Sequence, residues 1–342
     1  MLHRILKIGF IALSLNLCLG LSVDAKIVQD TKGNQIEIPD QITRLADLWH
    51  ANNQIVLLLG GADKLVATTN VIQKNPWFSE VYPNIKNVPA LTNGQTIQIE
   101  ELLQRNPQVV LLSNAKMAEE LQQAGMKVVL VDFQDFEGLK KNIKITADVL
   151  GGSALLIAQK YIQELESNIA FVKSRTSALK EENKPSVLHI SSGNNVLKID
   201  GGNSIIGDWI RKAGGRNVFL KQKNLVEIGM EDVLNADPDI IIVGSTDAKA
   251  GVDKILQDPN WQSISAVKNK RVFVNPTGTF PWDRYSAEEA LQVLWAVKLF
   301  HPNLFKDIDM VEKTQNFYKK YYHYDLSLKN AEQILNGLPP LK

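Results

Sequence analysis

Two short stretches of this 342-residue chain gather side chains able to hold a solute. Trp49-His50 follows a short apolar run, and Phe280-Pro281-Trp282-Asp283-Arg284-Tyr285 precedes an apolar pattern of helical spacing. Histidine is the commonest metal ligand and donates to anions when protonated, so His50 is either a contact for a metal or anionic group or an ordinary surface residue. Arg284 offers a planar fork of donors that suits a carboxylate, a catecholate or an oxyanion, and Trp282 and Tyr285 offer flat apolar walls. Against that stands a salt bridge from Arg284 to Asp283 or another neighbour. Ser286 and Glu289 read as a capping box, which turns the amide end of the next helix toward the same place.

Signatures of covalent or phosphoryl chemistry are missing. The chain has no GxxxxGK[ST], HExxH or GxSxG, and Cys18 is its one cysteine. Gly60-Gly61-Ala62-Asp63-Lys64 has the wrong spacing for a phosphate loop, and Gly214-Gly215-Arg216 ends a helix. A metal chelatase is the enzyme alternative, but it needs a second base or metal ligand beside His50 that the sequence does not offer. The expectation is a binding protein, not an enzyme, with no intrinsic cofactor.

The first 25 residues set the compartment. Arg4 and Lys7 precede an apolar run from Ile8 to Val23, and Val23-Asp24-Ala25 suits a signal peptidase, so cleavage after Ala25 and a periplasmic location are expected. Lipid anchoring at Cys18 is the lesser reading, because Leu17 before it is a poor lipoprotein signal. Removing Arg4, Lys7 and Asp24 from 38 basic and 37 acidic residues leaves equal numbers of each. That balance excludes an electrostatic footprint for nucleic acid. A mature chain of about 317 residues suits two domains in one monomer.

Lys26 to Pro39 alternates around Lys32-Gly33-Asn34 and predicts a hairpin. Unbroken Val/Ile/Leu runs then alternate with helical patterns, which predicts parallel strands covered on both faces. A 29-residue pattern from Ala154 to Glu182 divides the chain. Its apolar residues fall on one stripe, with Ser153 as N-cap and Lys184-Pro185 as stop. The predicted organisation is an α/β fold of two Rossmann-like lobes with parallel sheets, at 26–152 and 185–342, joined by one long helix over 153–184. The halves share a phrase: Ile99-Glu100 through Leu112 aligns without a gap with Met230-Glu231 through Val243, each with a proline seven residues after the glutamate.

Hairpin, repeated phrase, connecting helix, Gly214-Gly215-Arg216-Asn217 and late aromatic loop occur in the order that resembles the substrate-binding proteins of ABC importers for iron chelates, haem and cobalamin. The resemblance covers essentially the whole mature chain. It implies an exported protein that binds a metal complex, most simply a ferric siderophore, and delivers it to a permease dimer with a cytoplasmic ATPase. It also implies that Glu100 and Glu231, on the outer lobe tips, pair with permease arginines; the alternative is that both only serve helix N-termini. The ligand is expected between the lobes, where loops follow parallel strands. Those loops supply Trp49, His50, Asn70 and Asn114 from the first lobe and Ser192, Ser245, Trp282, Arg284 and Tyr285 from the second. His50 with Arg284 would equally suit a small oxyanion such as molybdate, or a nickel or cobalt chelate.

Overall fold

The computed structural model describes residues 24–245 and 247–341; most of the expected export signal, residues 1–23, lies outside them. Ala25 already belongs to the predicted hairpin, whose strands Ala25–Gln29 and Gln35–Pro39 pair antiparallel from Ala25↔Pro39 to Gln29↔Gln35. Asp30 closes its turn, accepting from the backbone N–H of Lys32 and Asn34 at 2.9 Å each.

Two separate sheets follow. The first runs, in spatial order, Ala90–Thr92, Leu65–Thr69, Leu45–Asp47, Val109–Leu112 and Val128–Leu130, all parallel. Val109–Leu112 is buried along its whole length, which is why the strand reads as an unbroken apolar run. The second sheet has a parallel centre of Ser186–Ile190, Ile240–Val243 and Val272–Val274. Two short antiparallel strands, Lys198–Ile199 and Val226–Glu227, extend it, so this sheet is mixed. Neither antiparallel strand exceeds two residues, too short for an alternating pattern to show in sequence.

The repeated phrase is a repeated structure. Helices Ile99–Arg105 and Met230–Ala236 end at Asn106 and Asp237, both in the left-handed region with φ of 47° and 35°. Pro107 and Pro238 bar the preceding residue from continuing the helix, and Asn and Asp tolerate the left-handed conformation best among residues with a side chain.

The connecting helix is shorter than its sequence pattern predicts. It spans Ser153–Thr176, about 36 Å at 1.5 Å per residue, and 177–184 is a turn with a short 3-10 segment at Glu181–Asn183. Beyond Thr176 the only large apolar residue is Leu179, half-buried, so too little burial offsets the ordering of further helical turns. Ser153 is the first helical residue, and Gly152, at φ 57°, takes the cap position. The buried face also differs. Leu155 is exposed, while Tyr161 is fully buried and donates its hydroxyl to the carbonyl of Ala287 at 2.6 Å.

The lobes are knit together behind the cleft. Gln54 of the first lobe donates to the Tyr322 hydroxyl and accepts from the Ala287 N–H, both at 2.8 Å. Trp77 donates to the Leu338 carbonyl at 2.9 Å and Asn75 to the Thr279 carbonyl at 3.0 Å. The C-terminal helices Met310–Tyr322 and Leu328–Leu335 therefore serve both lobes; the second was missed in the sequence. One apolar cluster runs through Ile55, Trp77, Tyr161, Trp282 and Tyr318 without a break between lobes.

Candidate functional site

The loop after the central strand Leu45–Asp47 of the first sheet and the loop after the edge strand Val272–Val274 of the second meet in an aromatic contact. Trp49 ends the first strand's loop and opens helix His50–Leu58, while Tyr285 comes from the second lobe's late loop. Their ring centroids lie 5.9 Å apart, and Phe133 completes a triangle at 5.6 Å from each. Edge-to-face and tilted rings at such distances are attractive beyond the area they bury. Beside them His50 lies 5.6 Å from Phe280 with an interplanar angle of 31°. Burial pulls the His50 imidazole below its ordinary range, so it is neutral at neutral pH and keeps a lone pair for a metal.

Tyr285 sits in the left-handed region at φ 53°, and so does Ser245 at φ 55°, in another loop of the same lobe. For a bulky residue that conformation is costly and persists only where its surroundings hold it, as happens at ligand sites. The Tyr285 hydroxyl accepts from Asn224 at 3.1 Å and donates toward Gln134 of the first lobe at 3.4 Å.

Arg284 is bound within its own lobe. Its Nη2 pairs with Asp200 and reaches the Ser191 carbonyl at 3.4 Å, and its Nε lies 3.5 Å from Asp283. The salt-bridge alternative thus describes its present contacts; 13% of the side chain stays exposed, and among the described residues Nη1 has no partner. Behind Arg284 lies His189, wholly buried, with Nδ1 3.0 Å from Asp200 and Nε2 3.1 Å from Asp283. Gly244 makes room for this cluster, since a Cβ there would stand 2.0 Å from the Asp283 carboxylate.

The remaining candidates separate. Trp282 is 0% exposed and packs in the core, so it is no ligand wall in this conformation; loop position alone does not reveal that every second ring of Phe280-Pro281-Trp282 turns inward. Asn70 opens helix Asn70–Gln73 with Thr69 as its cap, and Asn114 caps helix Ala115–Gln123, accepting from Met117 N–H at 3.1 Å. Asn70, Ser192 and Ser245 are half-buried on the cleft side and Asn114 is exposed. The amide end of helix Glu289–Phe300 does not open into the cleft, because Gln54 occupies the Ala287 N–H and Glu289 is fully buried.

Phe133, Gln134, Asp200 and Asn224 were not singled out from the sequence, and Phe280 only as part of the late aromatic stretch. Phe133 follows strand Val128–Leu130, and that position is the signal that would have found it. Glu100 and Glu231 are exposed in the first turns of their helices, one on each lobe. Among the described residues no group of three or more His, Cys, Asp or Glu side chains is placed to hold a metal ion, so none is built around His50.

A family model described as periplasmic binding protein matches residues 46–277. The molybdate-binding protein MolA of Haemophilus influenzae is 24% identical over 334 residues, 90% of this chain and 93% of its own length. The high-affinity heme uptake system protein IsdE of Staphylococcus aureus is 28% identical, over 58% of this chain and 70% of its own. Among solved structures, a periplasmic solute binding protein from Veillonella parvula superposes with a TM-score of 0.81 at 28% identity, covering 92% of this chain and 97% of that one. Helicobacter pylori CeuE with Ni(II) bound reaches 0.74 at 20% identity, covering 91% and 99%. Two sheets on a helical spar, a cleft between them and a family match over most of the chain agree: this chain belongs to the periplasmic binding protein family, the solute-binding components of ABC importers.

Proposed function

We propose that this chain captures a metal chelate, most simply a ferric siderophore, outside the inner membrane and hands it to an ABC permease dimer driven by a cytoplasmic ATPase. The supporting observation is the contact of Trp49, Phe133 and Tyr285 across the lobes beside a neutral His50. The rings meet edge-on, with Trp49 and Phe133 largely buried and Tyr285 half-exposed, and the place is aromatic and nearly uncharged, since Arg284 is already matched by Asp200 and Asp283. A metal held there brings most of its own ligands, because among the described residues no group of three ligating side chains includes His50. The contact set is Trp49, His50, Asn70, Asn114, Ser192, Ser245, Arg284 and Tyr285, with Trp282 supporting the loop from below. Glu100 and Glu231, exposed and one to a lobe, would register the protein on basic residues of the permease. The protein is exported, cleaved after Ala25, and acts as a monomer.

A small oxyanion is the second reading, favoured by the accessible Nη1 of Arg284 and by the likeness to MolA. The chelatase alternative loses its ground, since the family is one of binding proteins. Native mass spectrometry of protein taken from its own periplasm, with elemental analysis for iron, molybdenum, nickel and cobalt, separates the readings. Iron with the added mass of an organic chelator is expected. Molybdenum without organic mass would replace the first reading by the second, and a bound solute with no metal would end both.

A further inference from the structure

The four charged groups behind the cleft form a closed set. His189 is fully buried on strand Ser186–Ile190, and both its ring nitrogens face carboxylates, Asp200 at 3.0 Å and Asp283 at 3.1 Å. Nδ1 is hydrogen-bonded to Asp200, whereas Nε2 stands within ion-pair distance of Asp283 without hydrogen-bond alignment, and a carboxylate on each side of the ring is matched only by an imidazolium. Two carboxylates, one imidazolium and the Arg284 guanidinium then cancel; a neutral ring would leave an unmatched negative charge in a dry place.

Asp200 has three partners. Its Oδ2 takes both His189 and Arg284, and its Oδ1 accepts from the Leu225 N–H at 3.2 Å. Leu225 is held at φ 60°, and its chain neighbour Asn224 donates to the Tyr285 hydroxyl at 3.1 Å. One carboxylate therefore touches the guanidinium directly and the phenol through two residues. The other groups packed on the imidazole are uncharged: Trp209 edge-on at 5.8 Å and the Gly244 backbone. Asp208, on the helix of Trp209, pairs instead with Arg211 and accepts from the Phe136 N–H.

We propose that His189 and Asp200 are positioning residues of the solute site: an imidazolium that stays protonated holds Asp200 between its partners, so that Asp200 aims Arg284 and Tyr285 at the cargo. This rests on the reading of Arg284 and Tyr285 as solute contacts. Burial works against the charged ring, but the hydrogen bond to Asp200 and the nearby Asp283 carboxylate outweigh it and hold His189 above its ordinary range. Burial likewise opposes the Asp200 carboxylate, and the His189 hydrogen bond with the Arg284 charge keeps it below its ordinary range. Both shifts are in the direction that favours the charged set.

Two measurements test this on the full mature chain. Long-range proton–nitrogen NMR of the histidine rings between pH 6 and 8 should show one imidazole with both nitrogens protonated and unmoved by pH. That signal should survive separate replacement of His50, His301 and His323 by Gln; a neutral His189 tautomer at pH 7 overturns the proposal and needs no ligand. In the second measurement, ferric tris(catecholate) and molybdate are titrated by calorimetry into wild type, Asp200→Asn, Arg284→Ala and the double variant. Asp200→Asn should weaken the bound probe about tenfold, and the double variant should lose no more than Arg284→Ala alone. Losses that add, or an unaffected Asp200→Asn, overturn the positioning role while leaving Arg284 as a contact. If Arg284→Ala itself has no effect, the cleft reading falls and the positioning role falls with it.

Discussion

Trp282 and Tyr285 stand three residues apart and face opposite ways. Trp282 is sealed in the core, whereas Tyr285 is half-buried, strained at φ 53°, and meets Trp49 across the lobes. Tyr285→Ala or Trp49→Ala should weaken cargo binding about tenfold or more, as loss of a central aromatic contact does. Trp282→Phe should leave the affinity within about threefold and cost about 1–2 kcal/mol of stability through the space it opens. Calorimetric titration beside denaturant melts checks both. A large affinity loss for Trp282→Phe with an intact melt would return that ring to the cleft.

At the level of elements, the repeated helix carries two separable properties. Glu100 and Glu231 face solvent, and neither takes part in a salt bridge among the described residues. Reversing both to Lys should abolish uptake by cells while cargo affinity stays at the wild-type value; lost affinity with intact uptake would sink the docking assignment. The helix ends behave differently from one another. The Asn106 side chain bonds nothing among the described residues, whereas Asp237 accepts from the N–H and hydroxyl of Ser265 at 2.7 and 2.8 Å. Asn106→Gly should therefore be neutral or stabilising by up to about 1 kcal/mol, while Asp237→Gly should cost about 1 kcal/mol despite easing the same backbone strain. Thermal melts of the two variants decide it; equal shifts would mean the Ser265 contacts contribute nothing.

For the whole molecule, the seam behind the cleft matters as much as the spar. Glu288 lies there, fully buried, accepting from the Thr279 hydroxyl at 3.0 Å beside Tyr318. Burial raises its carboxyl to about 7, against hydrogen bonds from Tyr318 and Thr279 that pull the other way. The folded protein thus holds this proton more tightly than the unfolded chain, and the associated stability is present below the unfolded range and lost as pH rises from about 4.5 to about 7. The loss is on the order of 3 kcal/mol. Glu288→Gln should remove that slope, so the difference between the two melting curves should grow through this window; parallel curves from pH 4 to 8 would refute it. Gln54, Asn75 and Trp77 cross the same seam, so cargo binding should rock the lobes by only a small angle. Small-angle scattering with and without cargo measures that, and a change in radius of gyration of the size seen on wide hinge closure would contradict it.

Periodicity and punctuation determined much of this protein from the sequence alone: the hairpin, the buried parallel strands, the repeated phrase and the dividing helix. Those features depend on local spacing and turn chemistry, which neighbouring residues carry among themselves. What only the tertiary structure decided is where side chains from distant segments point. The dividing helix stops at Thr176 because nothing beyond it is buried, and Trp282 turns inward while Tyr285 turns out. Asp200 joins His189, Arg284 and Leu225 just after a two-residue strand, Lys198–Ile199, too short to leave a pattern. Contacts between residues 84 or 268 positions apart, such as Arg284 with Asp200 and Gln54 with Tyr322, have no periodic trace in the chain; the first exists only once the second lobe has folded, the second only once the two lobes have packed together.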